Sequence, residues 1–229
     1  MTDNSRVPYS VGIIMDGNRR WAKENSVPSL EGHRAGAEKL KEFLPWALER
    51  GIKEIIVYAF STENWNRGED EVKYLLALIG SLLDDWIDDV LKQGGRLQFI
   101  GQLDRLPDAL QKKIQQATER TKGGEKGTLI IALSYGGRAE ILSAVNKLLT
   151  MDREVVTEDD LWSAMWSADF TDPDLIIRTG GEKRLSNFLT WQSTYSELFF
   201  TDTKWPDFSK EEFFSILDQF SKREQRHGT

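Results

Sequence analysis

Residues 11–20 read VGIIMDGNRR, and this stretch decides the fold. Val11 to Met15 is a short apolar run with the composition of a buried strand. It passes directly into Asp16-Gly17-Asn18, a turn-prone polar tripeptide, and then into two arginines. The same pattern recurs along the chain. Glu54 to Phe60 runs into the polar stretch Ser61 to Arg67. Thr128 to Ser134 meets Tyr135-Gly136-Gly137-Arg138. Asp174 to Arg178 leads into Thr179-Gly180-Gly181. Arg96 to Ile100 is a further strand, and Glu197 to Phe200 is a last short one.

Between these runs the apolar spacing changes to that of helices. His33 to Arg50 repeats Ala37, Leu40, Phe43, Leu44, Ala47 and Leu48 at three- and four-residue intervals. Pro45 inside it predicts a kink, and Gly51 a stop. Asp70 to Gln93 carries a wide apolar stripe. Pro107 opens a helix to about Arg120. Another helix follows the Tyr-Gly-Gly-Arg segment as far as Leu149. Thr157 with Asp160 caps a short helix carrying Trp162 and Trp166. Ser209 with Glu212 forms a capping box for the terminal helix. Strand and helix thus alternate, which predicts an α/β fold with a mostly parallel central sheet and helices on both faces. No repeat or linker interrupts the pattern, so residues 1–229 are expected to form a single domain.

Composition narrows the chemistry. The chain has 229 residues and no cysteine, which excludes disulfides, thiolate metal sites and cysteine nucleophiles. The formal charge of -7 makes nucleic acid a poor bulk partner. No secretory signal is visible at the start. Every apolar run is broken by charge before the roughly 20 residues that span a bilayer. The eight tryptophans and eleven phenylalanines are read mainly as core.

In a parallel sheet all strands end on the same side. The four polar clusters at Asp16–Arg20, Ser61–Arg67, Tyr135–Arg138 and Arg178–Ser186 therefore share one edge. Open α/β sheets bind ligands there. The plain alternative is that such residues only close loops, but the residue types argue for an anion. Arg20, Arg67, Arg178 and Arg184 offer planar forks for phosphate oxygens. The glycines let backbone amides approach closely. Asp16, directly after a strand, is a candidate magnesium ligand or a cap. No dinucleotide fingerprint, P-loop or HExxH motif is present.

These segments, in this order, resemble the cis-prenyltransferase family, whose best-known type is undecaprenyl diphosphate synthase. The likeness rests on Ile14 to Ala22, Gly32 to Gly36, Tyr58 to Arg67, Tyr135 to Arg138, Asp174 to Asn187, Glu197 to Phe200 and Trp205-Pro206. It covers nearly the whole chain. The resemblance implies condensation of isopentenyl diphosphate with an allylic prenyl diphosphate, farnesyl or geranylgeranyl, to a Z-polyprenyl diphosphate. It implies Mg2+ as cofactor and a homodimer. It also implies a cytoplasmic location, with transient membrane contact for product release.

Site roles follow from the resemblance in the same way. Asp16 is implied to act with magnesium, Glu197 to be a second magnesium-associated carboxylate, and Asn64 and His33 to stand near the reacting carbons. Gly17, Asn18, Arg19, Arg20, Trp21 and Arg67 fall to the allylic diphosphate. Arg178, Arg184 and Ser186 fall to isopentenyl diphosphate, joined by Arg226 and Gly228 of a tail, 222–229, that reaches the partner subunit. The apolar product needs a dry tunnel, and the long helix is its natural wall. Tyr74, Leu75, Ile79, Leu82, Leu83 and Trp86 are nominated, with Ile100 and Leu129 toward the base. Ordinary core packing is the plain alternative for the same residues.

Three positions depart from the family pattern. Ser29 stands where bacterial members carry an arginine, Lys183 replaces a common histidine, and Ser134 replaces a common asparagine. The first leaves the primer open, with Lys23 placed to compensate. Three other functions stay open: a soluble α/β binding protein, head-to-middle condensation of short allylic diphosphates, and a non-catalytic prenyltransferase partner subunit. The last type tends to lose the first aspartate motif, which this chain keeps.

Overall fold

The computed structural model describes residues 6–151 and 155–223. The elements in chain order are β1 (Ser10–Ile14), α1 (Asn18–Glu24), α2 (Ser29–Glu49), β2 (Glu54–Ser61), α3 (Glu69–Lys92) and β3 (Arg96–Ile100). Then come α4 (Asp108–Thr121), β4 (Thr128–Tyr135), α5 (Gly137–Leu149), α6 (Glu158–Ala164), β5 (Leu175–Arg178), β6 (Glu197–Phe200) and α7 (Lys210–Ser221).

The six strands form one sheet in the order β3-β4-β2-β1-β5-β6, and every pairing is parallel. The chain starts in the middle, fills one side through β2 to β4, then crosses to the other side of β1 for β5. The gap between the ends of β1 and β5 is therefore the topological switch point, where open α/β sheets leave a crevice.

Side chains alternate between the two faces. Val11, Ile13, Val57, Leu97, Leu129, Ile131 and Ile177 pack in one core with residues of α2, α3, α4 and α7. Ile14, Ile56, Ile100, Ile130 and Ile176 pack on the other face against Phe170, Phe188 and Leu189. Strands buried on both faces read as continuous apolar runs, which is why they were visible in the sequence.

Several local expectations need adjusting. α2 continues through Pro45 to Glu49. Pro45 lies on the exposed face, where water can reach the carbonyl left without its helical partner. Thr157 and Asp160 make the reciprocal capping box, but α6 ends at Ala164, so Trp166 lies beyond it. Ser209 accepts from the Glu212 N–H, whereas the Glu212 carboxylate bonds the Thr201 hydroxyl, so only half of that box forms.

Candidate active site

Asp16 follows β1 in a tight turn, its N–H donating to the Ile14 carbonyl at 2.9 Å. Gly17 then takes φ +105° and leads into α1. A Cβ there would lie 2.8 Å from the Lys204 Cβ, so both the backbone angle and the space demand glycine. α1 seats on α2 at two further glycines. A Cβ on Gly32 would sit 2.1 Å from the Asn18 carbonyl oxygen, and one on Gly36 would sit 2.5 Å from Asn18 Oδ1.

The Asp16 carboxylate is where the segments meet. Arg178 Nη2 donates to Oδ2 at 2.9 Å, Arg20 Nη2 stands 3.2 Å from Oδ1, and the Gly17 N–H donates to Oδ1 at 2.6 Å. The Asp16 carbonyl accepts from Thr179 Oγ1 at 2.8 Å and from the Trp205 N–H at 3.0 Å. Arg178 reaches the other way as well. Its Nη1 donates to Ser186 Oγ at 2.7 Å and to the Arg184 carbonyl at 2.5 Å. Its side chain is only 6% exposed, and its Nε is buried with no partner. A buried guanidinium with an unused donor marks a place where an anion would complete the bonding.

Two clefts share this centre. One, of about 610 Å³, is lined by Asp16, Gly17, Arg19, Arg20, Lys23, Ser29 and Arg67. The second, of about 350 Å³, is lined by Asp16, Tyr58, Ser61, Asn64, Arg67, Arg178, Arg184 and Ser186. Met15, Asn18 and His33 line both, and they also line an apolar cavity of about 80 Å³. Leu75, Ile79, Leu82 and Trp86 form its α3 wall, with Leu40 and Ala59 opposite.

His33 lies at that junction. Its Nε2 is buried without a hydrogen bond, 3.9 Å from Glu71. Burial first, then the Arg67 charge, lower its pKa to about 4 against an opposing pull from Glu71. The imidazole is therefore neutral at pH 7. Glu71 also binds Arg67 at 2.9 Å and faces Arg19 at 4.0 Å. The sequence reading missed Glu71, because acidic residues in a helix's first turn have an ordinary purpose there.

Some nominated residues lie elsewhere. Trp21 donates its indole N–H to Asp207 at 2.7 Å and does not line either cleft. Asn64 lines the second cleft, with its Oδ1 accepting from the Ser61 N–H at 3.0 Å. Arg184 pairs with Glu182 at the rim. Glu197 begins β6 opposite Leu175, three residues before Arg178. That is roughly 10 Å down the strand from the Asp16 rim, where it binds Arg223 instead.

Ile100 lies on the opposite face of the sheet from α3, outside the lining of the apolar cavity. Tyr74 is half-buried and its hydroxyl is 3.5 Å from the Leu30 carbonyl, outside the cavity lining. Leu83 is fully buried core. Leu129 lines a separate apolar cavity of about 30 Å³ with Leu44, Leu48 and Val90. Arg226 and Gly228 lie outside the described residues.

The undecaprenyl diphosphate synthase family model matches residues 14–228. The chain belongs to this family. An isoprenyl transferase of Thermotoga maritima is 45% identical over 227 residues, covering 97% of both chains. A ditrans,polycis-undecaprenyl-diphosphate synthase of Lactiplantibacillus plantarum, described as (2E,6E)-farnesyl-diphosphate specific, is 43% identical over 99% of this chain and 91% of its own. Among solved structures, lavandulyl diphosphate synthase from Lavandula x intermedia in complex with dimethylallyl diphosphate superposes with TM-score 0.93. It is 31% identical and covers 97% of this chain and 99% of its own. A probable undecaprenyl diphosphate synthase from Campylobacter jejuni gives TM-score 0.83 at 33% identity, covering 98% and 100%. In this prenyltransferase family member, Met15, Asn18 and His33 line both clefts and the apolar cavity.

Proposed function

We propose that this chain condenses isopentenyl diphosphate with an allylic prenyl diphosphate, farnesyl or geranylgeranyl, to give a Z-polyprenyl diphosphate. The observation that carries the reading is the Asp16–Arg178 pair, with Asp16 lining two basic clefts whose shared residues Met15, Asn18 and His33 also line one apolar cavity. The 610 Å³ cleft takes the allylic diphosphate on Arg19, Arg20, Lys23 and Arg67. The 350 Å³ cleft takes isopentenyl diphosphate on Arg178, Arg184 and Ser186.

Cleavage of the allylic carbon–oxygen bond leaves a diphosphate anion. Fixed guanidiniums around it stabilise the departing charge without reorganising. The clefts' common wall of Met15, Asn18 and His33 sets the two reacting carbons side by side. The isopentenyl double bond attacks the allylic carbon, and a proton is then lost. Neutral His33 stands where it can accept that proton, as can a diphosphate oxygen. The lengthening tail enters the cavity beside Leu75, Ile79, Leu82 and Trp86.

The donor set fits Mg2+. That ion is usually held by one or two carboxylates together with phosphate oxygens and water. Asp16 supplies one carboxylate that is 30% exposed, with a lone pair beyond those used by Arg178, Arg20 and Gly17. The ion, when bound, adds charge neutralisation on the diphosphate.

The reading includes a homodimer of single-domain chains over residues 1–229, acting in the cytoplasm with transient membrane contact when product leaves. In its support, Leu142 and Leu149 on α5 are 60% and 74% exposed and share a stripe with Val145. Among the described residues no helix is long and apolar enough to cross a membrane. In the dimer, the tail with Arg226 and Gly228 would reach the partner's isopentenyl cleft.

The likeness to lavandulyl diphosphate synthase favours a second reading, condensation of short allylic units alone. Labelled isopentenyl diphosphate with each primer in turn, followed by sizing of the dephosphorylated products, tests both. The proposal expects label in products longer than the primer. Product from dimethylallyl diphosphate alone, with no label incorporated, would favour the alternative.

A further inference from the structure

Asn187 makes three hydrogen bonds to two separate segments at once. Its Nδ2 donates to Glu63 Oε1 at 2.9 Å, its Oδ1 accepts from the Arg138 N–H at 2.9 Å, and its carbonyl accepts from the Gly137 N–H at 2.7 Å. The clamp crosses over Gly136, where a Cβ would lie 2.5 Å from Asn187 Nδ2 and 2.6 Å from Thr62 Oγ1. No larger residue leaves room for it.

The backbone that the clamp holds is unfavourable by itself. Ser186 has φ +51°, Asn187 +66° and Leu189 +46°. Left-handed backbone disfavours residues with a Cβ, asparagine least among them, and it persists only where surrounding bonds over-determine it. Ser186 is the residue whose hydroxyl accepts from Arg178. The Tyr58 hydroxyl also reaches the Ser186 carbonyl, at 3.4 Å. Burial works to raise the Glu63 carboxyl, but the Asn187 amide and further hydrogen bonds outweigh it and hold the group below its usual range. The clamp is therefore an amide on an ionised carboxylate.

We infer that Asn187 is a positioning residue. Its bond to Glu63 keeps Ser186 in the left-handed conformation, which aims the Ser186 hydroxyl and the Arg178 fork at one ligand. Glu63 lies one residue before Asn64, so the clamp also ties the wall of the second cleft to its floor. The inference rests on the reading that Arg178, Arg184 and Ser186 hold isopentenyl diphosphate.

Steady-state kinetics of wild type, Asn187→Asp, Glu63→Gln and the double variant test it, with KM for each substrate, kcat and thermal stability measured separately. Asn187→Asp keeps the acceptor for Arg138 but sets two carboxylates face to face. It is expected to raise KM for isopentenyl diphosphate about tenfold while the allylic KM and the melting temperature move little. The defect should shrink as pH falls and the facing carboxylates share a proton. Combination with Glu63→Gln restores an amide–carboxylate bond with roles reversed and should return KM toward wild type. An unchanged isopentenyl KM in Asn187→Asp overturns the inference, as does a rise in both KM values in step with lost stability, or no rescue in the double variant. A wild-type chain that makes no product overturns the functional reading beneath it.

Discussion

Arg178 Nη2 and Asp16 Oδ2 are 2.9 Å apart although the residues are 162 positions apart in sequence. The bond spans the switch point between β1 and β5, so the sheet order itself brings the two motifs together. Arg178 is buried while Asp16 is partly open to the clefts. The arginine is thus a fixed element, to which the proposed reaction adds a diphosphate. Arg178→Lys keeps the charge but cannot bond Asp16, Ser186 and the Arg184 carbonyl at once. A loss in kcat/KM for isopentenyl diphosphate of about 100-fold is expected, from charge-assisted bonds worth roughly 1.5–3 kcal/mol each. Initial-rate kinetics with the allylic substrate saturating would read it.

Trp86 is 5% exposed, lines the 80 Å³ apolar cavity, and has a buried indole N–H without a partner. In the proposed reaction a growing tail would pass it. Trp86→Ala should give longer products, read by chromatography of the dephosphorylated chains. The cavity is expected to cost about 3–5 kcal/mol of stability, so Trp86→Leu is the milder companion. Unchanged product length in both would remove Trp86 as the limit.

His33 gives a pH signature in stability. Its folded pKa of about 4 lies below the ordinary 6.5. Between those values the unfolded chain binds the proton and the folded chain does not. The contribution is therefore present above pH 6.5 and lost as pH falls toward 4, by about 3 kcal/mol. His33→Gln removes this step. Denaturant unfolding at pH 7 and pH 4.5 should show the wild type losing more than the variant. Equal losses would contradict the buried, neutral imidazole.

Much of this was legible beforehand, for a physical reason. Strands buried on both faces appear as apolar runs, and in a parallel sheet their ends must share an edge, so Asp16, Arg67, Arg178 and Ser186 could be placed together before any coordinates. What stayed hidden depended on register, rotation or strand ends. Ile100 is apolar and lies in β3, but its face follows from pairing with β4. Trp21 is one helical step from Arg20, yet that step turns it to Asp207. Glu197 begins its strand where Arg178 ends one. Of α1 only Asn18 was assigned, to a turn, because the helix's seven residues carry little apolar pattern. The Asn187–Glu63 clamp joins residues 124 positions apart through polar groups that no periodicity reveals.

A chelator offers a direct check on the ion. Turnover of the proposed condensation should vanish with EDTA and return with added Mg2+, while circular dichroism stays unchanged, since Asp16 already has Arg178 and Arg20 as partners. Full activity without divalent ions would remove magnesium from the account.

The most direct test of the whole account is turnover by Asp16→Ala with labelled isopentenyl diphosphate and the preferred primer, alongside a melting curve. The account predicts a folded protein with condensation reduced by at least about 1,000-fold, the scale of losing a central electrostatic group. Near-normal condensation by that variant would contradict it.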